Sequence, residues 1–342
     1  MTPTKTRDSN MELLRIVAML LVMMTHASYR ALPKPTPEGI ADDPVSMFLQ
    51  IAVESFTVIA VDVFVMLSGW YGIRLRWNRL AELLFQVFFF GLLCVGIDYL
   101  VTGTMPQKAI LSLFMLNEND YWFVKAYLAL YLLSPVLNAF IQTATRRQFL
   151  LTLIALFTFQ WVFGWVFEAT SWLRAGYSLP SFMCLYLLAR YMNVYRPRFT
   201  QLSRKSDFLI YLTICSFVAI AFFLLKQHLN LGGVLLFYNS PTTIAAATFL
   251  LLFFSKLSFQ SRLINWLAVS ALSIYLTHSN SYLGNYYDHY IRLWHDNESR
   301  PTFILYAVSL IVGVFLCSIL IDKVRLIIWR PIQEGLDKHS KS

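Results

Sequence analysis

Apolar runs separated by short polar connections fill almost the whole chain. About ten of them approach the roughly 20 residues that a helix needs to cross a bilayer. They predict spans at residues 11–31, 50–72, 80–102, 121–142, 149–168, 177–195, 207–226, 234–254, 266–286 and 302–328. The pattern therefore predicts an all-α fold, a polytopic membrane helix bundle of about ten transmembrane helices.

The composition supports this class. The chain has 342 residues, of which 57% are hydrophobic and 14% are charged, whereas a soluble domain is usually about one quarter charged. Apolar runs continue from Met11 to Trp329. We therefore predict a single integral-membrane domain over residues 1–342, with short cytoplasmic tails at about 1–10 and 330–342.

The positive charges indicate the orientation. The net charge is +9, and most lysine and arginine residues lie in alternate connections, as in proteins that keep their basic loops in the cytoplasm. Both termini are therefore predicted to be cytoplasmic, in a multi-pass protein of the cell (inner or cytoplasmic) membrane surrounded by the lipid bilayer. We expect no nucleic-acid partner. The basic set comprises Lys5, Arg7, Arg74, Arg76, Arg79, Arg146, Arg147, Arg196, Arg198, Arg204, Lys205, Lys256, Arg262, Lys323, Arg325, Arg330, Lys338 and Lys341.

Two ionisable residues of the first span are the main candidates for chemistry. A helix turns about 100° per residue, so the step from Arg15 to His26 returns to within about 20° of the same face, roughly 16 Å further along. Ionisable side chains at membrane depth usually face the protein interior or a wet cavity. We interpret His26 as a general base. The alternatives are an interhelical hydrogen bond for His26, and an interfacial position or a pair with Glu12 for Arg15.

The second span adds an acid and a pair of small residues. Asp62 lies in an otherwise apolar helix, and three roles are open for it: pairing with His26 or Arg15, binding a polar substrate, or fixing the packing. Ser68 and Gly69 together allow another helix to approach closely, so we interpret them as mainly structural.

Four further residues are candidates for binding. Arg76 and Arg79 lie three residues apart at a predicted cytoplasmic helix start, where they either set topology alone or clamp a phosphate-bearing ligand. Trp122 is predicted at the outer interface, where an aromatic belt is the usual explanation and stacking on a sugar is the alternative. His278 is a second intramembrane imidazole, for which core hydrogen bonding and site membership are equally supported. The sequence has no spacing typical of metal ligands, phosphate loops or dinucleotide sites, so we predict no metal and no tightly bound cofactor.

Taken in order, these motifs resemble those of the acyltransferase-3 family of integral-membrane acyltransferases. The resemblance covers the whole chain. It rests on Glu12-Leu13-Leu14 with Arg15-x10-His26, Val61 to Gly69, Arg76-x-x-Arg79, Tyr121-Trp122-Phe123, Tyr131 to Pro135 and Tyr275-Leu276-x-His278. Two positions depart from the family pattern: Lys125 stands where a small polar residue is commoner, and Phe64-Val65 replaces a pair of phenylalanines. Neither departure touches Arg15 or His26.

The resemblance implies a stand-alone O-acetyltransferase of the polysaccharide-modifying type. Such an enzyme moves an acyl group, usually acetyl, from acetyl-CoA as co-substrate to a hydroxyl of a cell-envelope or secreted glycan, or of its lipid-linked precursor. On this hypothesis His26 and Arg15 are catalytic, and Arg76, Arg79 and Arg15 bind acyl-CoA. Asp62, Trp122 and His278 would bind the acceptor or support the residues that do.

Two other functions remain open at the level of the sequence. The first is a transporter or flippase for a polar or lipid-linked sugar, with Arg15, Asp62 and His26 as a binding or proton-relay site. The second is a non-catalytic membrane scaffold, which the intramembrane ionisable residues disfavour.

Overall fold

The computed structural model describes residues 8–105, 107–116, 121–229 and 232–339, and all regular structure in these ranges is helical. The predicted all-α, multi-helix membrane fold is therefore confirmed. Lys5, Arg7 and Lys341, with the predicted tail segments 1–7 and 340–342, lie outside the described residues. The orientation of the termini stays a prediction.

The described residues form fifteen α-helices, labelled in chain order. They are α1 (Ser9–Thr25), α2 (Pro37–Asp42), α3 (Pro44–Thr57), α4 (Ala60–Tyr71), α5 (Trp77–Thr102), α6 (Ala109–Leu113), α7 (Trp122–Thr143), α8 (Arg146–Gln160), α9 (Leu179–Tyr195), α10 (Arg204–Leu229), α11 (Pro241–Ser255), α12 (Arg262–Ala268), α13 (Ala271–His278), α14 (Leu283–Asn297) and α15 (Arg300–His339). Two π-helical segments, His26–Arg30 and Trp161–Val166, continue α1 and α8. Short 3₁₀ turns occur at Arg174–Gly176, Arg198–Gln201 and Gly233–Leu236.

Eight helical stretches within the described ranges are long and apolar enough to cross a membrane, by length and composition. They are Ser9–Arg30, Pro44–Tyr71, Trp77–Thr102, Trp122–Thr143, Arg146–Val166, Arg204–Leu229, Gly233–Ser255 and Arg300–Asp337. Each corresponds to one of the predicted spans.

The other two predicted spans are not among these eight stretches. The span predicted at 177–195 is α9, whose 17 residues lie at the lower end of the lengths that cross a bilayer. The single helix predicted over 266–286 is wrong, because the chain breaks after Ala268 and again after His278. Gly284 makes the second break possible: a Cβ at this position would lie 2.8 Å from the His278 carbonyl oxygen, so only glycine lets the two segments approach this closely.

Local sequence signals account for several helix ends. Thr145 and Gln148 form a reciprocal capping box at the start of α8, which satisfies two backbone donors of the first turn. Asp43 accepts a hydrogen bond from the Ser46 amide at the start of α3. Gly103, with φ of 70°, ends α5 in the left-handed conformation that favours glycine.

One compact unit is formed by the described residues of 8–29, 33–74 and 126–268. In it α10 packs on α11 and α3, α4 packs on α9, and α1 packs on α3, α4 and α12. Gly69 lies where α4 meets α9: a Cβ there would be 2.5 Å from the Tyr186 carbonyl oxygen and 2.9 Å from the Ala189 Cβ. The predicted structural role is therefore confirmed for Gly69.

A second compact unit is formed by the described residues of 30–32, 75–125 and 269–339. Here α15 packs on α5, α13 and α14. The Asp322 carboxylate accepts hydrogen bonds from Arg325 Nε over 2.6 Å and from Gln86 Nε2 over 3.0 Å. Arg325, one of the basic residues predicted on the cytoplasmic side, is buried within α15, where the ion pair offsets the cost of burial.

Candidate active site

The first helix carries both main candidates and changes its winding at the second. Arg15 lies in the α-helical part, and His26 is the first residue of the π-helical segment His26–Arg30. Both side chains are partly buried. The helix rises by roughly 16 Å between Arg15 and His26. A π segment widens one turn of a helix and is frequent at functional sites.

Arg15 is paired but accessible. Its Nη1 donates to the Glu12 carboxylate over 2.6 Å, so the i, i+3 pair considered for this position is formed. The guanidinium also lies within electrostatic reach of the phenol groups of Tyr71 and Tyr127. Because a guanidinium has five N–H donors and this side chain is 35% exposed, it can bind a further anion.

Contacts from α3 hold the backbone on both sides of His26. Thr25 Oγ1 donates to Thr57 Oγ1 over 2.7 Å, and Ser28 Oγ donates to the Glu54 carboxylate over 3.3 Å. The Ser28 carbonyl accepts a further hydrogen bond from α3, from the side-chain amide of Gln50 over 2.6 Å. The position from which the imidazole leaves the helix is therefore fixed by α3.

Glu54 is a candidate that the sequence reasoning missed. It is buried, and it lies within electrostatic reach of Tyr29, Tyr177 and Tyr238. The rings of Tyr177 and Tyr238 contact each other, with centroids 4.9 Å apart. We call these four residues the Glu54 cluster. Glu54 lies in the predicted second span, so the criterion that selected Asp62, an acid at membrane depth, also selects Glu54.

Asp62 lies in the first turn of α4 and is completely buried. Neither of its carboxylate oxygens has a hydrogen-bond partner in the part of the chain that the structure describes. The pairing considered with His26 or Arg15 is thus not formed in this structure. Burying an acid without a partner is costly, which is typical of a residue retained for function at membrane depth.

Arg76 and Arg79 belong to the second unit and lie at the start of α5. Arg76 precedes the helix, both side chains are exposed, and Arg79 pairs with Glu82 over 2.7 Å. The backbone N–H groups and the positive end of the dipole at a helix start favour anions. The arrangement is compatible with a phosphate clamp, which stays a prediction.

Trp122 and His278 also belong to the second unit. Trp122 begins α7, and its ring packs edge to face against Phe123 with centroids 6.1 Å apart. His278 ends α13 and is buried; its Nδ1 donates to the Ile274 carbonyl over 2.6 Å, and Nε2 lies 3.4 Å from Ser279 Oγ. The core hydrogen bond considered for His278 is therefore present, and the site roles of both residues stay predictions.

The chemistry available is that of ionic and acid–base groups. Within the described ranges, no group of three or more His, Cys, Asp or Glu side chains is placed to hold a metal ion. One helix presents a guanidinium at one depth and an imidazole at another. Such a pair can bind an anionic group, accept a proton from a hydroxyl and take up an acyl group.

Comparison with known proteins gives a match at the level of the family. The family model Acyl_transf_3, described as an acyltransferase domain, matches residues 8–323. Neither the curated proteins nor the solved structures contain a match. The matched range contains every candidate residue described above.

Proposed function

Because the chain belongs to the Acyl_transf_3 family of acyltransferase domains, we propose that it is a membrane O-acyltransferase acting on glycans. The donor is acetyl-CoA, and the acceptor is a hydroxyl of a cell-envelope or secreted glycan or of its lipid-linked precursor. One observation carries the proposal: Arg15 lies in α1, His26 begins the π-helical segment that continues it, and α3 holds the backbone on both sides of His26.

In the proposed reaction His26 acts on the acceptor hydroxyl. Neutral imidazole is a competent base near pH 7, so it accepts the hydroxyl proton while the oxygen attacks the thioester carbonyl. The tetrahedral intermediate then expels the CoA sulfur, which takes the proton from the imidazolium. In the alternative route the imidazole takes the acetyl group first, releases CoA and passes the acetyl group to the hydroxyl. Release of one CoA per protein without acceptor is expected only of the second route.

In the same proposal Arg15 serves the donor. Its exposed guanidinium can hold a phosphate of CoA, or stabilise the oxyanion of the intermediate. The separation of roughly 16 Å between Arg15 and His26 along the helix is of the order of an extended pantetheine arm. This separation favours phosphate binding, with the thioester at His26.

The Glu54 cluster supports a sugar as the acceptor. Its carboxylate can accept hydrogen bonds from hydroxyl groups, and its phenol rings offer apolar faces with polar edges. Ser28, which bonds to Glu54, follows His26 by two residues, so the cluster adjoins the π-helical segment. For Asp62, Trp122 and His278 we propose roles in acceptor binding or in support of the site.

Labelled acetyl-CoA and a pool of lipid-linked glycans, incubated with the purified protein, test the proposed function. We expect label in the glycan that mild alkali releases as acetate, because the product is an ester. Movement of the glycan across a vesicle membrane without a labelled product would favour a transporter or flippase instead. Absence of transfer from any acyl-CoA would overturn the proposal.

The double variant Arg76→Lys, Arg79→Lys is expected to weaken acetyl-CoA binding about tenfold, because lysine keeps the charge and loses the bidentate hydrogen bonds. The dissociation constant of acetyl-CoA, measured by calorimetry in detergent, reports the effect. Arg204→Lys, at an exposed arginine that begins α10, is the control and should leave the constant unchanged. Unchanged affinity in the double variant would reduce Arg76 and Arg79 to a role in topology.

A further inference from the structure

A cleft of about 370 Å³ lies beside the beginning of α1 in the first unit. Its walls come from the start of α1, the end of α4 and the segment that follows α11. All three segments are predicted to face the cytoplasm, which is the side where acyl-CoA is found. The lining residues include Asp8, Asn10, Trp70, Tyr71, Phe259 and Gln260.

Hydrogen bonds join the walls of this cleft. The Tyr71 hydroxyl donates to the Asp8 carboxylate over 2.9 Å, and Asn10 Nδ2 donates to the Phe254 carbonyl over 2.9 Å. These bonds link the start of α1 to the end of α4 and to the end of α11. The cleft is therefore preformed in the folded unit, as ligand sites usually are.

The lining suits a neutral aromatic heterocycle that carries an amino group. Trp70, Tyr71 and Phe259 supply aromatic surface of the kind on which a nucleobase stacks. The Asp8 carboxylate repels phosphate, but it accepts a hydrogen bond from an exocyclic amine such as that of adenine. The adenine base therefore fits the cleft, whereas the phosphate groups carried by the ribose belong outside it.

Asp8, Arg15 and His26 follow one another along the first helix in the order of the base, diphosphate and thioester of acyl-CoA. Asp8 precedes Arg15 by about 10 Å of helix rise, and Arg15 precedes His26 by roughly 16 Å. Tyr71, a wall of the cleft, lies within electrostatic reach of Arg15. We propose that the cleft binds the adenosine end of acyl-CoA, with the diphosphate at Arg15 and the thioester at His26. This inference rests on the proposed function.

The inference is tested by comparing an acyl donor that contains adenosine with one that lacks it. Phe259→Ala is expected to raise KM for acetyl-CoA about tenfold, because one stacking contact is lost, with kcat unchanged. KM for S-acetyl-phosphopantetheine, which has no adenosine, should stay as in the unmodified protein. Phe199→Ala is the matched control, since Phe199 is 39% exposed and Phe259 is 36% exposed, and it should alter neither KM.

Ser258→Trp provides a second variant at an exposed lining residue, because the indole would fill the cleft. We expect the unmodified protein to bind adenosine 3′,5′-bisphosphate in calorimetry and Ser258→Trp to lose this binding. Equal changes of KM for both donors, no change for either, or unimpaired bisphosphate binding by Ser258→Trp would overturn the inference. Failure of the unmodified protein to transfer acetyl from either donor counts against the proposed function, while bisphosphate binding still reports on the cleft.

Discussion

His26→Ala is expected to lower the rate of acetyl transfer by about 10³-fold or more. Loss of a general base costs about 10²- to 10⁴-fold, and an acyl-histidine route would lose its nucleophile as well. The variant should still fold, because the bonds from Thr25 and Ser28 to α3 do not involve the imidazole. The rate of label transfer from acetyl-CoA to the glycan at saturating donor measures the effect.

A second histidine provides the control for this experiment. His289 is exposed on α14, so His289→Ala should transfer acetyl at the rate of the unmodified protein. Thermal unfolding in detergent should be the same for all three proteins. If His26→Ala proves unstable, His26→Gln keeps a polar side chain of similar size and carries the same expectation. Full activity in a folded His26 variant would remove this residue from the mechanism.

Gly69→Ala is expected to destabilise the protein by about 3 kcal/mol or more, at the upper end of the usual range for overpacking. The added Cβ would meet the Tyr186 carbonyl oxygen at 2.5 Å and the Ala189 Cβ at 2.9 Å. The first obstacle is backbone, so no rotamer change relieves it, and α4 and α9 must move apart. The free energy of unfolding, measured by chemical denaturation in detergent, reports the loss.

Gly313→Ala is the matched control for Gly69→Ala. Gly313 lies within α15, and a Cβ there has no neighbour within 4 Å among the described residues. Because alanine favours a helix over glycine by about 1 kcal/mol, this variant should be as stable as the unmodified protein or slightly more so. Equal destabilisation of the two variants would contradict the close packing of α4 on α9.

Hydropathy predicted where the chain is helical but not where a helix is interrupted. The apolar average over 266–286 conceals two breaks, because the turn after His278 depends on the contact of Gly284 with the His278 carbonyl. The burial of Arg325 was likewise not predictable from hydropathy. Its partner Asp322 stands three residues away in the sequence, yet its burial depends on the packing of α15 within the second unit.

The candidate site was predictable only where its contacts are local. The pair of Arg15 with Glu12 follows from helical spacing. The bond of Ser28 to Glu54 joins two helices, and the cleft joins Asp8 to the segment at Gln260. No periodicity of a single segment carries such information, because these contacts depend on how the helices pack.

The π-helical segment changes the angular position of every residue that follows it on the first helix. A π turn holds about one residue more than an α turn, so the offset from an uninterrupted α-helix grows along His26–Arg30 and reaches roughly 100° at its end. A helical wheel drawn from Arg15 therefore holds as far as His26 and becomes less accurate with each residue up to Arg30. A comparison of this segment with an uninterrupted α-helix should therefore allow for one additional residue between His26 and the end of the π turn.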